Sequence, residues 1–165
     1  HKLTTVTLNN IKHRFEYSEY PSKWENKLKD LENAENLVID VDIMNIMYLD
    51  EIFDYCEQNN LPTPTLNRAD HNVGQGDEEF GLNIFPKHMK EQIESVNKKS
   101  KHQEIRESAD WVSYRHNDRL PDFQSFIRKF DDDKGTSFDA AFPEFADAVF
   151  GGARNPENKP YKFSK

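Results

Sequence analysis

The chain has 165 residues, with 22 Lys and Arg against 30 Asp and Glu, and a formal net charge of −8. Leu, Ile, Val and Phe fill 38 of the 165 positions, just above the roughly 20% below which a highly charged chain builds no core, so a thin, Phe-rich core is expected. No apolar run reaches the roughly 18 residues needed to cross a bilayer, no apolar leader opens the chain, a single cysteine excludes an internal disulfide framework or multi-cysteine metal site, and the acidic balance argues against direct nucleic-acid binding.

Residues 3–8, Leu-Thr-Thr-Val-Thr-Leu, are rich in β-branched side chains and predict a strand that ends at Asn9-Asn10. Residues 13–20 mix charged and aromatic side chains and are read as an irregular loop or short turn. Pro21-Ser22-Lys23-Trp24-Glu25 opens a helix, with Ser22 and Glu25 spaced as a capping box. Trp24, Leu28 and Leu31 form its apolar stripe. Residues 37–43, Leu-Val-Ile-Asp-Val-Asp-Ile, form the clearest strand. Leu49, Ile52, Phe53 and Cys56 then switch to helical spacing over 47–58, and residues 64–68 predict a third strand.

Strand, helix, strand, helix, strand with short joints is the pattern of βαβ units and a parallel sheet. Residues 69–85 hold three of the six glycines and read as a long loop. The remainder reads as helical over 86–152. Pro86 at the first helical position opens 87–97, a second helix lies around 103–114, Phe123, Phe126, Ile127 and Phe130 share one face, and Phe138 to Val149 repeats that stripe before Gly151-Gly152. Residues 153–165 read as a flexible tail.

Few residues point to chemistry. Asp131-Asp132-Asp133-Lys134-Gly135 is in the wrong register for a calcium loop, because Phe130 stands where an acid would be needed. It reads as a solvated interhelical turn. Asp70-His71 near Asp77, Glu78 and Glu79 has one His and no metal-ligand spacing. Gly74-x-Gly76 lacks the rest of a phosphate-binding loop. Cys56, Trp24 and the Phe stripes read as core. Asn9, Asn10, Asp42 and Asn45 stand out because they lie at or just beyond the carboxyl ends of two strands, where parallel α/β sheets bind ligands. Capping of the following helix by Asn45 is the competing reading.

Four segments together resemble radical S-adenosylmethionine (SAM) proteins of the twitch class. Glu16 to Glu25, "EYSEYPSKWE", is similar to the family's Tyr-x-x-Tyr-Pro-x-Lys-Trp-Glu segment after the fourth barrel strand. Asn36 to Ile52, "NLVIDVDIMNIMYLDEI", resembles its fifth strand, Asn-containing turn and next helix. "NIFPKHMKEQI" at 83–93 and "FQSFIRKFDDDKGTSFDAAFPEFADAV" at 123–149 resemble its later helices. The resemblance runs in order over residues 10–150. The family's C-x-x-x-C-x-x-C cluster motif is absent, and Thr7-Leu8-Asn9-Asn10 stands where relatives often have Ser-Ile-Asp-Gly.

The resemblance implies an α/β fold: part of a parallel (β/α) radical-SAM-like barrel over 1–68, followed by a C-terminal helical segment. It implies SAM and a [4Fe–4S] cluster as cofactors, of which this chain could not ligate the cluster alone. Asn9, Asn10 and Asn45 would be the cofactor-binding residues. The substrate would be a peptide or protein, and the partner a missing N-terminal half or another protein chain that covers the open sheet edges. A cytoplasmic location is expected. The alternative is a non-catalytic, acidic α/β protein-interaction module. An acidic mimic of nucleic acid is a third option, disfavoured because the acids are spread over all segments.

Overall fold

Strands β1 (Thr5–Thr7), β2 (Asn36–Asp40) and β3 (Thr65–Asn67) form one parallel sheet in the order β1-β2-β3. The structure is a computed structural model, and it describes residues 4–68, 80–82, 85–112 and 119–151. The chain is thus mixed α/β with a small parallel sheet, as the βαβ pattern predicts. The register pairs Val6 with Leu37 and Ile39 with Leu66, so these four side chains share one face. That face joins the core. The opposite face carries Thr5, Thr7, Val38, Asp40, Thr65 and Asn67, all exposed or half-exposed.

Residues 13–20 are not an irregular loop. Helix α1 spans Lys12–Ser18. Ile11 turns into the core, Phe15 packs against Trp24 with ring centroids 5.6 Å apart, and Tyr17 is 3% exposed against the C-terminal helices. Tertiary burial, not local periodicity, fixes this short helix. The chain enters it through Lys12 at φ 53, a left-handed conformation that costs a side-chain-bearing residue about 1–2 kcal/mol.

Helix α2 spans Trp24–Glu32 but has no Ser22–Glu25 capping box. Its N-cap is Lys23, and the Trp24 N–H donates instead to buried Glu16 Oε2 at 3.0 Å. Pairing in β2 ends at Asp40 rather than running to Ile43, because Asp42 and Asn45 draw the chain into a turn. Helix α3 follows over Leu49–Gln58 and buries Leu49, Ile52, Phe53 and Cys56 as the spacing predicts.

Helix α4 spans Lys87–Lys98, with Pro86 at the N-cap rather than the first helical position. The helix expected around 103–114 is a short α5 (Gln103–Glu107) continued by a 3₁₀ turn over Ser108–Trp111; residues 113 and 114 lie outside the described residues. Helix α6 runs Leu120–Lys134 and is closed by Gly135 at φ 67. The Phe138–Val149 stripe is two helices, α7 (Phe138–Ala141) and α8 (Pro143–Phe150). Pro143 has no N–H to continue a helix and pushes Phe142 out of helical geometry, to φ −133 and ψ 64.

The loop expected over 69–85 is anchored where it is described. Phe80 and Phe85 are fully buried, with ring centroids 5.2 Å from Phe123 and 6.1 Å from Phe145 respectively. Asp70, His71, Gly74, Gly76, Asp77, Glu78, Glu79 and the 153–165 tail lie outside the described residues.

One core joins the β/α segment to the helices. Tyr17 packs on Phe142 with centroids 5.5 Å apart, and Phe138 on Phe145 at 5.5 Å. Such pairs add about 0.5–1.5 kcal/mol beyond area burial. Polar bonds cross the same seam. Tyr48 Oη donates to Glu144 Oε2 and accepts from the Phe145 N–H, both at 3.0 Å, and Asn97 Nδ2 donates to the Ile46 carbonyl at 3.1 Å. Arg14, paired with Glu51, donates to the Ala141 carbonyl at 2.7 Å. Burial and the neighbouring Glu144 raise the Tyr48 phenol above its ordinary pKa, although the Phe145 N–H opposes this.

Candidate functional site

Parallel strands point their carboxyl ends the same way, so the residues that end β1, β2 and β3 meet. Three asparagines converge on Asp40. Asn9 Oδ1, just past β1, accepts from the Asp40 N–H at 2.7 Å. Asn67 Nδ2, at the end of β3, donates to Asp40 Oδ1 at 2.9 Å. Asn45 Nδ2, in the turn after β2, donates to the Asp40 carbonyl at 3.0 Å. Asp40 is half-exposed and Asn67 exposed, so the carboxylate and a carboxamide lie open to a ligand.

The expected site residues separate into two groups. Asn9 is half-buried and presents its Nδ2 at this strand end, with no partner for it among the described residues. Asn45 is 0% exposed, and its Oδ1 accepts from the Asp42 N–H at 2.9 Å. Asp42 Oδ1 returns bonds from the Met44 N–H at 2.8 Å and the Asn45 N–H at 3.1 Å. Asn45 therefore builds the turn, by a route other than the side-chain helix cap considered from sequence: the N-cap of α3 is Tyr48, with no side-chain cap bond. Asn10 is 1% exposed; its Nδ2 reaches the Met44 carbonyl and Ser18 Oγ only at 3.5 Å, and its Oδ1 has no partner among the described residues.

Asp40 and Asn67 were missed by sequence reasoning. Asp40 reads there as the polar beat of an alternating strand. The available signal was its place as the last residue of a central strand, on the polar face.

An open cleft of about 380 Å³ lies beside this strand end. Thr7 and Asn9 line it from β1, and Phe15, Glu19, Lys23, Asn26, Lys27 and Asp30 line it from the α1–α2 side. Its walls carry two carboxylates and two ammonium groups. It can take a polar ligand with both donors and acceptors.

Two other polar clusters are already paired within the chain. Asp54, Glu57 and His102 bring ligand atoms within 4.8 Å of one another. The Lys101 ammonium already sits 3.4 Å from Asp54 Oδ1 and 3.3 Å from Glu57 Oε2. The hydrogen bond from His102, with help from Lys101, holds the Asp54 carboxyl below its usual range. The geometry is that of a surface ion-pair network. Asp131 is not part of a solvated turn: at 5% exposure it accepts from Tyr17 Oη at 2.8 Å, Thr136 Oγ1 at 2.9 Å and the Phe138 N–H at 3.0 Å.

Cys56 is 1% exposed, and burial pushes its thiol up to about 11. It can neither serve as a nucleophile at neutral pH nor, alone in the core, hold an iron–sulfur cluster. Iodoacetamide at pH 8 is expected to leave the native chain unmodified and to add one label in denaturant, read by intact mass. Labelling of the native chain at the rate of the denatured one would overturn this placement.

Among the described residues, no helix is long and apolar enough to cross a membrane. No protein-family model matches the chain, and neither a curated protein nor a solved structure matches it.

Proposed function

We propose that this chain is the C-terminal half of a twitch-class radical SAM enzyme acting on a peptide or protein, inactive without the half that binds the cluster. One observation carries the reading furthest: the parallel sheet runs in sequential order and is half-covered. All-parallel sheets are normally buried on both faces. Here one face packs into the core and the other carries Thr7, Val38, Asp40 and Asn67 toward solvent. Sequential order of parallel strands is how a (β/α) barrel is wound, and its inner face would be this polar one.

The two cofactors fit differently. The cluster does not fit this chain, whose one cysteine is buried in the core. SAM fits the strand ends: Asn9 and Asn67 offer carboxamides and Asp40 a carboxylate, matching a ligand rich in hydroxyl, amino and carboxylate groups. The chain's own part would be to bind and orient SAM, with Asn45 and Asn10 shaping the turn behind it. The cluster, held by the other half, would supply the electron for reductive cleavage. A cytoplasmic location goes with this reading.

The test uses the polypeptide that the gene encodes, reconstituted with iron and sulfide without oxygen. The expected result is a three-cysteine motif upstream of residue 1, iron-dependent absorbance and SAM binding. Asn9→Ala is expected to weaken that binding about five- to tenfold, the worth of one hydrogen bond near 1 kcal/mol. A product without the cysteine motif, or without SAM binding once the cluster is in place, overturns the proposal.

The open face and edges also favour a second reading, a non-catalytic acidic interaction module. It predicts a protein that binds a partner chain and shows no affinity for SAM.

A further inference from the structure

The open face of the sheet is not uniformly polar. The register sets Thr7, Val38 and Thr65 side by side across the three strands, with Asp40 and Asn67 paired one step further toward the carboxyl ends. Val38 is half-exposed between two exposed threonines, so this row presents methyl groups. Asp40 is the one charged residue in the three strands. It is held on three sides: its N–H by Asn9, its carbonyl by Asn45 and its Oδ1 by Asn67. Among the described residues its Oδ2 has no partner, and no Lys or Arg pairs with it. Same-face residues on a strand lie about 6.5 Å apart. The face thus offers an apolar strip that ends, one such step on, in a fixed and unpaired carboxylate.

We propose that this strip and Asp40 receive a lysine side chain of a peptide or protein, its methylenes lying on the Thr7–Val38–Thr65 row and its ammonium on Asp40 Oδ2. Long basic side chains bury their stems along apolar surface and carry the charge at the tip. Lysine fits better than arginine, because Asn67 already uses Oδ1 and a guanidinium fork takes both oxygens. An acidic side chain would meet Asp40 with like charge, and a neutral one would leave the carboxylate unpaired. The net charge of −8 favours the approach of a basic segment. The inference deepens the cofactor reading, and rests on it only for calling the bound peptide a substrate. Two ligands meet at the strand ends in that reading, and the apolar strip beside Asp40 suits the stem of a side chain.

Acetyl-Gly-Lys-Gly-amide and its norleucine counterpart, titrated by calorimetry into the full polypeptide without SAM, test it. The lysine peptide is expected to bind about tenfold tighter or more, the worth of one charge-assisted hydrogen bond. Asp40→Asn keeps an acceptor for Asn67 and is expected to abolish the difference. Circular dichroism checks that the variant is folded. Should it not be, Thr7→Lys, at an exposed position in the same row, supplies an ammonium from within the chain and is expected to abolish the preference too. Equal binding of the two peptides by the wild type, or binding of neither, overturns the proposal, as does a lysine preference that the folded Asp40→Asn protein keeps. SAM affinity of the wild type is read in a separate titration, so failure of the cofactor reading and failure of this one are distinct results.

Discussion

Replacing Asp131 by alanine is expected to cost about 3–5 kcal/mol, among the largest single losses available outside the aromatic core. Three donors lose their acceptor at once: Tyr17 Oη from α1, Thr136 Oγ1 from the turn, and the Phe138 N–H at the start of α7. The site is 5% exposed, so water cannot replace the carboxylate without opening the seam. The loss reaches beyond the turn because Tyr17 packs on Phe130, Phe138 and Phe142. Asp131→Asn keeps one acceptor oxygen but turns an NH₂ toward a donor, and should cost less, about 1–3 kcal/mol. Urea denaturation of both variants is the measurement. Asp131→Ala within about 0.5 kcal/mol of wild type, the range of ordinary surface changes, would show that the network is not formed in solution.

That network also shows what a linear reading can and cannot see. Asp131-Asp132-Asp133 looks like uniform charge in the sequence, yet burial divides it: Asp131 points inward while Asp132 and Asp133 are exposed. Helical period alone could have made the division, since Asp131 lies four residues beyond Ile127 and eight beyond Phe123, on the same face. The stripes of α3, α4 and α6 were legible because each repeats over several turns. Helix α1 was not, because its seven residues bury Phe15, Glu16 and Tyr17 in succession, the first two against Trp24 and the third against the C-terminal helices, so no helical period shows. Its helical state depends on partners more than a hundred residues away.

The candidate site was legible in position but not in division of labour. The carboxyl ends of β1 and β2 were identified from strand pattern and the general behaviour of parallel sheets. Which asparagine faces outward could not be read, because Asn9, Asn10 and Asn45 are alike in type and differ only in the hydrogen bonds the folded chain gives them. Asp40 was hidden by being regular: an alternating strand explains it fully until β3 arrives alongside with Asn67. The half-covered sheet is also invisible from sequence, because Thr, Val and Asp on one face look like an ordinary solvent side until the strands are known to be parallel.

Asn45→Ala separates the two kinds of site residue. Asn45 is 0% exposed, and both ends of its carboxamide are committed: Oδ1 to the Asp42 N–H at 2.9 Å and Nδ2 to the Asp40 carbonyl at 3.0 Å. Alanine removes the acceptor of the buried Asp42 N–H and the donor to the part-buried Asp40 carbonyl, at a cost of about 2–4 kcal/mol. Asn9→Ala removes only the acceptor for the Asp40 N–H at a half-buried position, at about 1 kcal/mol. Thermal melts should therefore place Asn45→Ala well below Asn9→Ala, by roughly 2–12 °C for a difference of 1–3 kcal/mol in a chain of this size. Ligand binding should rank them differently. Below both melting transitions, and under the proposed cofactor reading, Asn9→Ala would remove a group that touches SAM, whereas Asn45→Ala acts only by loosening the turn that holds Asp40. A Gln at 45 cannot restore the turn, because its longer side chain moves the amide past both partners; a Gln at 9 keeps an amide at the strand end. Recovery of SAM affinity in Asn9→Gln with none in Asn45→Gln is the expected pattern. Equal stability losses in the two alanine variants would remove the distinction between a residue that meets the ligand and one that positions the strand end.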